Sequence, residues 1–277
     1  MNEDILVVWQ YNNPTDLALA KAAAMARIGE SKLTVLAFSA DTSAISEQEL
    51  ADTVAAAAGD DVVINAIHCL SPTEINPWLL NAQQSNTFHM VVKTAAKESE
   101  LIRDSTDWQL IRELTCPLLL SMGRQWNLQN FSVLATVDIS DNNPLQQSIN
   151  QSVITIAQTA ETKLGASVHL TYVIAIAKAL SELSIKESQD TLHHHGDENL
   201  RKLKQLANDY NLATATPHVL AGCVDEEVSS LANKLKVDLV IMGSVGRKGI
   251  KGLLLGNTAE KTIANLREDL LIIKPVN

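Results

Sequence analysis

Five of the chain's eleven glycines, Gly243, Gly246, Gly249, Gly252 and Gly256, crowd between the apolar run Asp238–Met242 and an amphipathic segment that opens at Asn257. Glycine reaches backbone conformations closed to other residues, so Gly243 and Gly246 can adopt positive φ, and their missing side chains let main-chain N–H groups approach an anion closely. The stretch NTAE, Asn257–Glu260, reads as a capping box. The helix it starts has free N–H groups that can receive phosphate. Arg247, Lys248 and Lys251 place positive charge inside the same cluster. Residue types in this order can hold a polyphosphate. A flexible surface loop has the same composition, and neither G-x-x-x-x-G-K-[ST] nor G-x-G-x-x-G occurs, so spacing alone leaves both readings open.

Few other residues offer chemistry. His193, His194 and His195 are consecutive, point in different directions on a helix and lack i, i+4 spacing; they read as a solvated helix start, not a metal site. His68, His89, His169 and His218 fall in strand-like runs, where a half-buried histidine is the usual case. Neither a G-x-S-x-G elbow nor H-E-x-x-H is present. Cys69, Cys116 and Cys223 lack C-x-x-C spacing and read as buried small apolar residues. Trp9, Trp78, Trp108 and Trp126 read as packing and interface residues, and a cluster of them can also line an apolar cavity. Asp138, at the exit of an apolar run, reads by its surroundings as a turn carboxylate.

These residues need a frame. A chain of 277 residues with 46% hydrophobic and 19% charged residues is long enough for one large or two ordinary globular domains. The net charge of -10 disfavours nucleic acid as a partner. No apolar run reaches the roughly 18–20 residues of a membrane span, and the start lacks a signal-peptide pattern, so the expectation is a cytoplasmic protein without membrane contact. Apolar runs recur at Ile5–Trp9, Leu33–Phe38, Val62–Ile67, Phe88–Val92, Pro117–Met122, Ser132–Val137, Val168–Ile174, Thr216–Leu220, Asp238–Met242 and Leu270–Lys274. Continuous apolar runs suit strands covered on both faces, and helix-like segments such as Pro14–Arg27 and Pro144–Leu164 are long enough for crossovers. The two halves match in order, each with an N-N-P helix start, and join near Gly123–Asn130. This predicts two tandem α/β domains, 1–125 and 129–277, each a doubly wound, roughly five-stranded parallel sheet.

The pattern G-x2-G-x9-G-[S/T/N], carried by Gly243, Gly246, Gly256 and Asn257, resembles the nucleotide loop of the universal stress proteins. The resemblance extends to DSTDW at Asp104–Trp108 and to LGNTAEKTIANLREDLLIIKP at Leu255–Pro275, and it covers nearly the whole chain as a tandem two-domain member. It implies an adenine nucleotide alpha hydrolase-like fold and a stress-response protein that binds ATP, with or without Mg, or another adenine nucleotide across the carboxyl edge of the second sheet. Asp138 would meet the adenosine portion and the Val173 backbone the adenine. Met242 and Gly243 would lie on the ribose side, with Gly246, Gly256, Asn257 and Thr258 around the phosphates. The family commonly joins two domains through the edges Pro117–Met122 and Leu270–Lys274, which implies an intramolecular pseudo-dimer, with protein partners or a homodimer also open. The most it implies in catalysis is slow ATP hydrolysis or self-phosphorylation, and no residue is an evident general base.

The first half departs from this pattern. Gln10 stands where Asp138 stands, and Lys93–Trp108, the counterpart of the loop, is shorter and has no glycine. That half is expected not to bind ATP. The rival reading is an interaction scaffold without nucleotide, or a carrier of an apolar ligand in the degenerate half. An adenylating enzyme is disfavoured because S-G-G-x-D-S and H-I-G-H are absent.

Overall fold

The structure is a computed structural model that describes residues 4–39, 45–85, 88–95, 106–122, 124–140, 143–176, 185–212, 214–244 and 265–275. The chain divides into two compact units, Met1–Gln125 and Trp126–Asn277.

In the first unit the described elements are β1 (Asp4–Gln10), α1 (Ala18–Gly29), β2 (Lys32–Phe38), α2 (Glu47–Ala58), β3 (Ile64–Cys69), α3 (Ile75–Ala82), β4 (Met90–Thr94), α4 (Thr106–Glu113) and β5 (Leu118–Ser121). The strands are parallel, in the order β3-β2-β1-β4-β5. The second unit has β6 (Ser132–Thr136), α5 (Pro144–Leu164), β7 (Ser167–Ala175), α6 (Ile185–Asp209), β8 (Thr216–Gly222), α7 (Val224–Leu235), β9 (Leu239–Gly243) and β10 (Asp269–Ile273). Its strands are parallel in the order β10-β9-β6-β7-β8, so both units wind the same way. From β6 the chain proceeds outward to β8, then returns to the other side of β6 for β9. The switch point of such a sheet, here between β6 and β9, is where the carboxyl ends of the strands open a crevice.

All ten expected strands are present, and the runs are apolar because the inner strands are covered: Leu6, Val7, Leu33, Val35, Val91, Val92, Val133, Leu134, Val240 and Ile241 are fully buried. The third strand lies two residues later than the apolar run Val62–Ile67. Val62 N–H donates to Gly59 O in a turn, and Val63 is left 58% exposed. Helix α5 runs over the expected residues: the Asn143 side chain accepts from Leu145 N, Pro144 occupies the first turn, and Gly165 closes the helix at φ 64°. Helix α1 starts at Ala18, not Pro14, because the Asn13 amide oxygen accepts the Thr15 N–H and the Asp16 carboxylate accepts the Ala18 N–H in local turns.

Three side-chain expectations need correction. Cys69 is exposed and Cys116 half-buried, so only Cys223 is the buried thiol expected of all three. His89 precedes β4 and is exposed, since the ladder begins at Met90. His193–His195 are exposed as expected but lie in the middle of α6, not at a helix start.

His169 and His218 form a pair across β7 and β8, with Nδ1 and Nε2 3.0 Å apart. A hydrogen bond there needs one bare nitrogen. Burial holds both imidazoles below their ordinary 6.5, and His169 and Lys234 depress His218 further. Because the folded values lie below the unfolded one, the pair's stabilisation is present above the unfolded pKa and is lost as pH falls through the depressed values. The urea midpoint should therefore drop between about pH 7.5 and about pH 5.5, and His218→Gln should flatten that slope. An unchanged slope in the variant would show that the pair carries none of the dependence.

Candidate functional site at the carboxyl edge of the second sheet

Asp138 leaves the end of β6, and its main chain is held from both sides by one buried side chain on α5. Asp138 N–H donates to Asn150 Oδ1 at 3.1 Å, and Asn150 Nδ2 donates to Asp138 O at 2.6 Å. Gln146 Nε2 supports Asn150 Oδ1 at 3.0 Å. The Asp138 carboxylate then accepts two bonds at Oδ1, from Ser140 N at 2.9 Å and Ser140 Oγ at 2.6 Å. Its other oxygen, Oδ2, has no partner among the described residues. Tyr172 is buried beside this group. Burial raises the phenol above its ordinary value; a hydrogen bond with Ser140 opposes the rise, the Asp138 charge adds to it, and Lys202 opposes it.

Val173 lies opposite this turn, and strand register explains what it offers. The β6–β7 ladder ends with Thr136 beside Thr171, followed by Val137 N–H donating to Thr171 O at 3.0 Å. Alternate residues of a strand direct their main-chain groups to opposite neighbours, so Val173 shares the β6 side with Thr171. Because β7 continues to Ala175 while β6 stops, the Val173 N–H and C=O face past the end of β6, with no rung opposite them among the described residues. Val173 is itself only 8% exposed. A donor and an acceptor side by side at the end of a strand can match the edge of a planar heterocycle.

Met242 and Gly243 end β9 on the other side of the switch point, and Met242 is buried. Gly243 does not use the positive φ open to a glycine. Its side chain is missing because α5 packs there: a Cβ on Gly243 would lie 2.1 Å from Ile149 Cγ2. Ser244 follows, donating its N–H to Ile273 O at 2.9 Å, while its buried Oγ has no partner among the described residues. Gly246, Gly256, Asn257 and Thr258, with Arg247, Lys248 and Lys251, lie outside the described residues. The structure thus brings Asp138, Val173, Met242 and Gly243 to the carboxyl edge of one sheet. Asn150, Ser140, Tyr172 and Ser244 belong to the same site and were not singled out from sequence. Among the described residues no cluster of three His, Cys, Asp or Glu side chains could hold a metal ion.

The same edge of the first unit is built differently. The ladders place Gln10 at the register position of Asp138, Phe38 at that of Val173, Lys93 at that of Met242 and Thr94 at that of Gly243. Here β1 does not turn away: Gln10 still pairs with Phe38, and Tyr11 N–H takes the Phe38 carbonyl at 3.1 Å. The Asp16 carboxylate enters the space from the start of α1, accepting from Gln10 N at 2.9 Å, Ala18 N at 2.9 Å and Thr94 Oγ1 at 2.5 Å. Lys93 forms an ion pair with the buried Asp107 at 2.6 Å, and the buried Lys21 donates to Ser121 Oγ at 2.8 Å. Strand extension and internal carboxylates engage here main-chain groups whose counterparts at Val173 have no partner among the described residues of the second unit.

Among the described residues no helix is long and apolar enough to cross a membrane. Residues 146–274, all in the second unit, match the model of the universal stress protein family. The universal stress protein E homolog of Haemophilus influenzae is 30% identical over 198 residues, 69% of this chain and 64% of that protein, so the match spans less than two thirds of that relative. A universal stress protein of Methanocaldococcus jannaschii is 30% identical over 115 residues, 40% of this chain and 67% of that protein. The fold resembles a crystal structure from Pseudomonas aeruginosa PAO1 of a protein described as functionally unknown, with a TM-score of 0.77, 22% identity, and coverage of 99% of this chain and 92% of that one. With a sheet wound in this order and relatives of this kind, the chain belongs to the universal stress protein family.

Proposed function

We propose that the second unit binds an adenine nucleotide, ATP by the resemblance of its loop, and that the protein acts as a nucleotide-responsive sensor or regulator in the stress response. The observation that carries this reading is the opening at the end of β6, where the Val173 main chain and the Asp138 Oδ2 oxygen stand without partners among the described residues. In this reading Val173 reads the edge of the base, and Asp138 accepts from the ribose hydroxyls. Met242 and Gly243 border the sugar, and Gly246, Gly256, Asn257 and Thr258 surround the phosphates. With or without Mg, the charge of ATP then falls beside Arg247, Lys248 and Lys251, the basic cluster of an acidic chain.

The first unit takes no nucleotide in this way, because Tyr11 N–H already takes the Phe38 carbonyl, the counterpart of the Val173 C=O, and a neutral amide at Gln10, its Oε1 accepting from Asn13 Nδ2, stands in place of the Asp138 carboxylate. Calorimetric titration of the full chain with ATP should give one site. Asp138→Ala should weaken it about tenfold or more, the worth of hydrogen bonds to a charged group. Gln10→Asp should leave the stoichiometry at one. Two sites in the parent chain, or full affinity in Asp138→Ala, would overturn the assignment.

A further inference from the structure

A cavity lies in the first unit, over the amino-terminal halves of β1 and β2 and along β3 from Asn65 to His68. Helix α3 is eight residues long, and the outer strand β3 stays only half-buried where the inner strands are covered. The gap is a cavity of about 380 Å³, within the range of small-molecule sites. Leu6, Ala66 and Phe88 supply apolar surface, and His68 and Trp78 form a wall with ring centroids 5.1 Å apart.

The polar end of the cavity is specific in what it lacks. Asn65 Nδ2 donates to Asp4 Oδ2 at 2.8 Å and reaches Thr34 Oγ1 at 3.4 Å. The carboxylate fixes which end of the amide faces it, so the Asn65 donors are spent within the protein. Two acceptors, Asp4 Oδ1 and Asn65 Oδ1, have no partner among the described residues. A ligand completing this arrangement needs N–H donors, a positive charge for Asp4 and a flat ring for Trp78. We propose that this cavity binds a small planar aromatic cation, of the amidinium or aryl-amine type, whose N–H groups engage Asp4 and Asn65 while its ring lies against Trp78. The chain's net charge of -10 favours a cation here as well.

Benzamidine is a suitable probe, with benzoate as the control of equal size and opposite charge. The full chain should bind benzamidine saturably at low salt in a calorimetric titration and should not bind benzoate. Asp4→Asn should weaken benzamidine about tenfold, the value of one charge-assisted hydrogen bond. Ala66→Leu, which fills the cavity, should abolish binding while the melting temperature shows the variant folded, and Trp78→Leu should weaken it several-fold. Saturating ATP should not displace the probe, which separates this site from the nucleotide proposal. The assignment is overturned by absence of saturable binding, by equal binding of benzoate, or by parent-like affinity in Asp4→Asn and Ala66→Leu.

Discussion

Gly243→Ala is expected to destabilise the second unit by about 3 kcal/mol, the upper end of what overpacking a core usually costs. The new Cβ would lie 2.1 Å from Ile149 Cγ2. Ile149 is 1% exposed, and its methyl branches directly from Cβ, so no rotation of a flexible end relieves the overlap. Either α5 lifts from the sheet or the end of β9 moves. The second response would also displace the start of the glycine-rich segment, linking this packing contact to nucleotide affinity. Ile149→Leu removes the offending branch and alone should cost less than about 1.5 kcal/mol. In that background Gly243→Ala should recover about 1 kcal/mol or more of its cost, the coupling expected of residues in contact. Urea midpoints of the four proteins measure this, provided the slope stays constant. An identical cost in both backgrounds would mean that Ile149 is not what excludes a side chain at Gly243.

The sheet was readable from the sequence because burial on both faces writes itself as uninterrupted apolar runs, such as Ile5–Trp9 and Leu270–Ile273. Helix α5 was readable because Asn143, Pro144 and Gly165 mark its ends chemically. The start of α1 was not, since Asn13 and Asp16 divert the same kind of Asn-Pro opening into side-chain turns. At the candidate site, the carboxylate at Asp138 and the edge position of Val173 could be named from a family pattern. What leaves their polar groups without partners among the described residues could not: Ile5–Trp9 and Ser132–Val137 are similar apolar runs, yet β1 continues to pair through Gln10 and β6 stops at Thr136. That difference depends on what receives the chain after the strand. In the second unit Asn150 holds the turn through two hydrogen bonds, and in the first Asp16 fastens Gln10 to the start of α1. Both are contacts between residues separated in sequence, one a helix residue and the other a carboxylate, with no local signature. Gly243 shows the converse, where the right residue was identified but its glycine serves helix packing instead of a positive φ.

Asp107→Ala is expected to be the most damaging single change in the first unit, costing about 3–5 kcal/mol, as removal of one partner from a buried ion pair does. Asp107 is wholly buried and Lys93 has 15% of its side chain exposed, with 2.6 Å between their charged atoms. Lys93 Nζ also donates to Thr94 O at 2.8 Å, but a carbonyl does not neutralise an ammonium left in low dielectric. Lys93 stands near the end of β4 at the register position of Met242 in the second unit, where an apolar side chain stands instead, and Asp107 reaches it from α4. Lys93→Met combined with Asp107→Ala should therefore recover most of the loss, because it removes the stranded charge and restores the apolar type found in the other unit. Denaturant unfolding read separately for the two units, with the buried Trp9 and Trp108 reporting the first, distinguishes the cases. If Asp107→Ala alone costs under about 1 kcal/mol, the pair behaves as an exposed one. The crevice of the first unit would then be wet, and its internal charges would not close it to nucleotide.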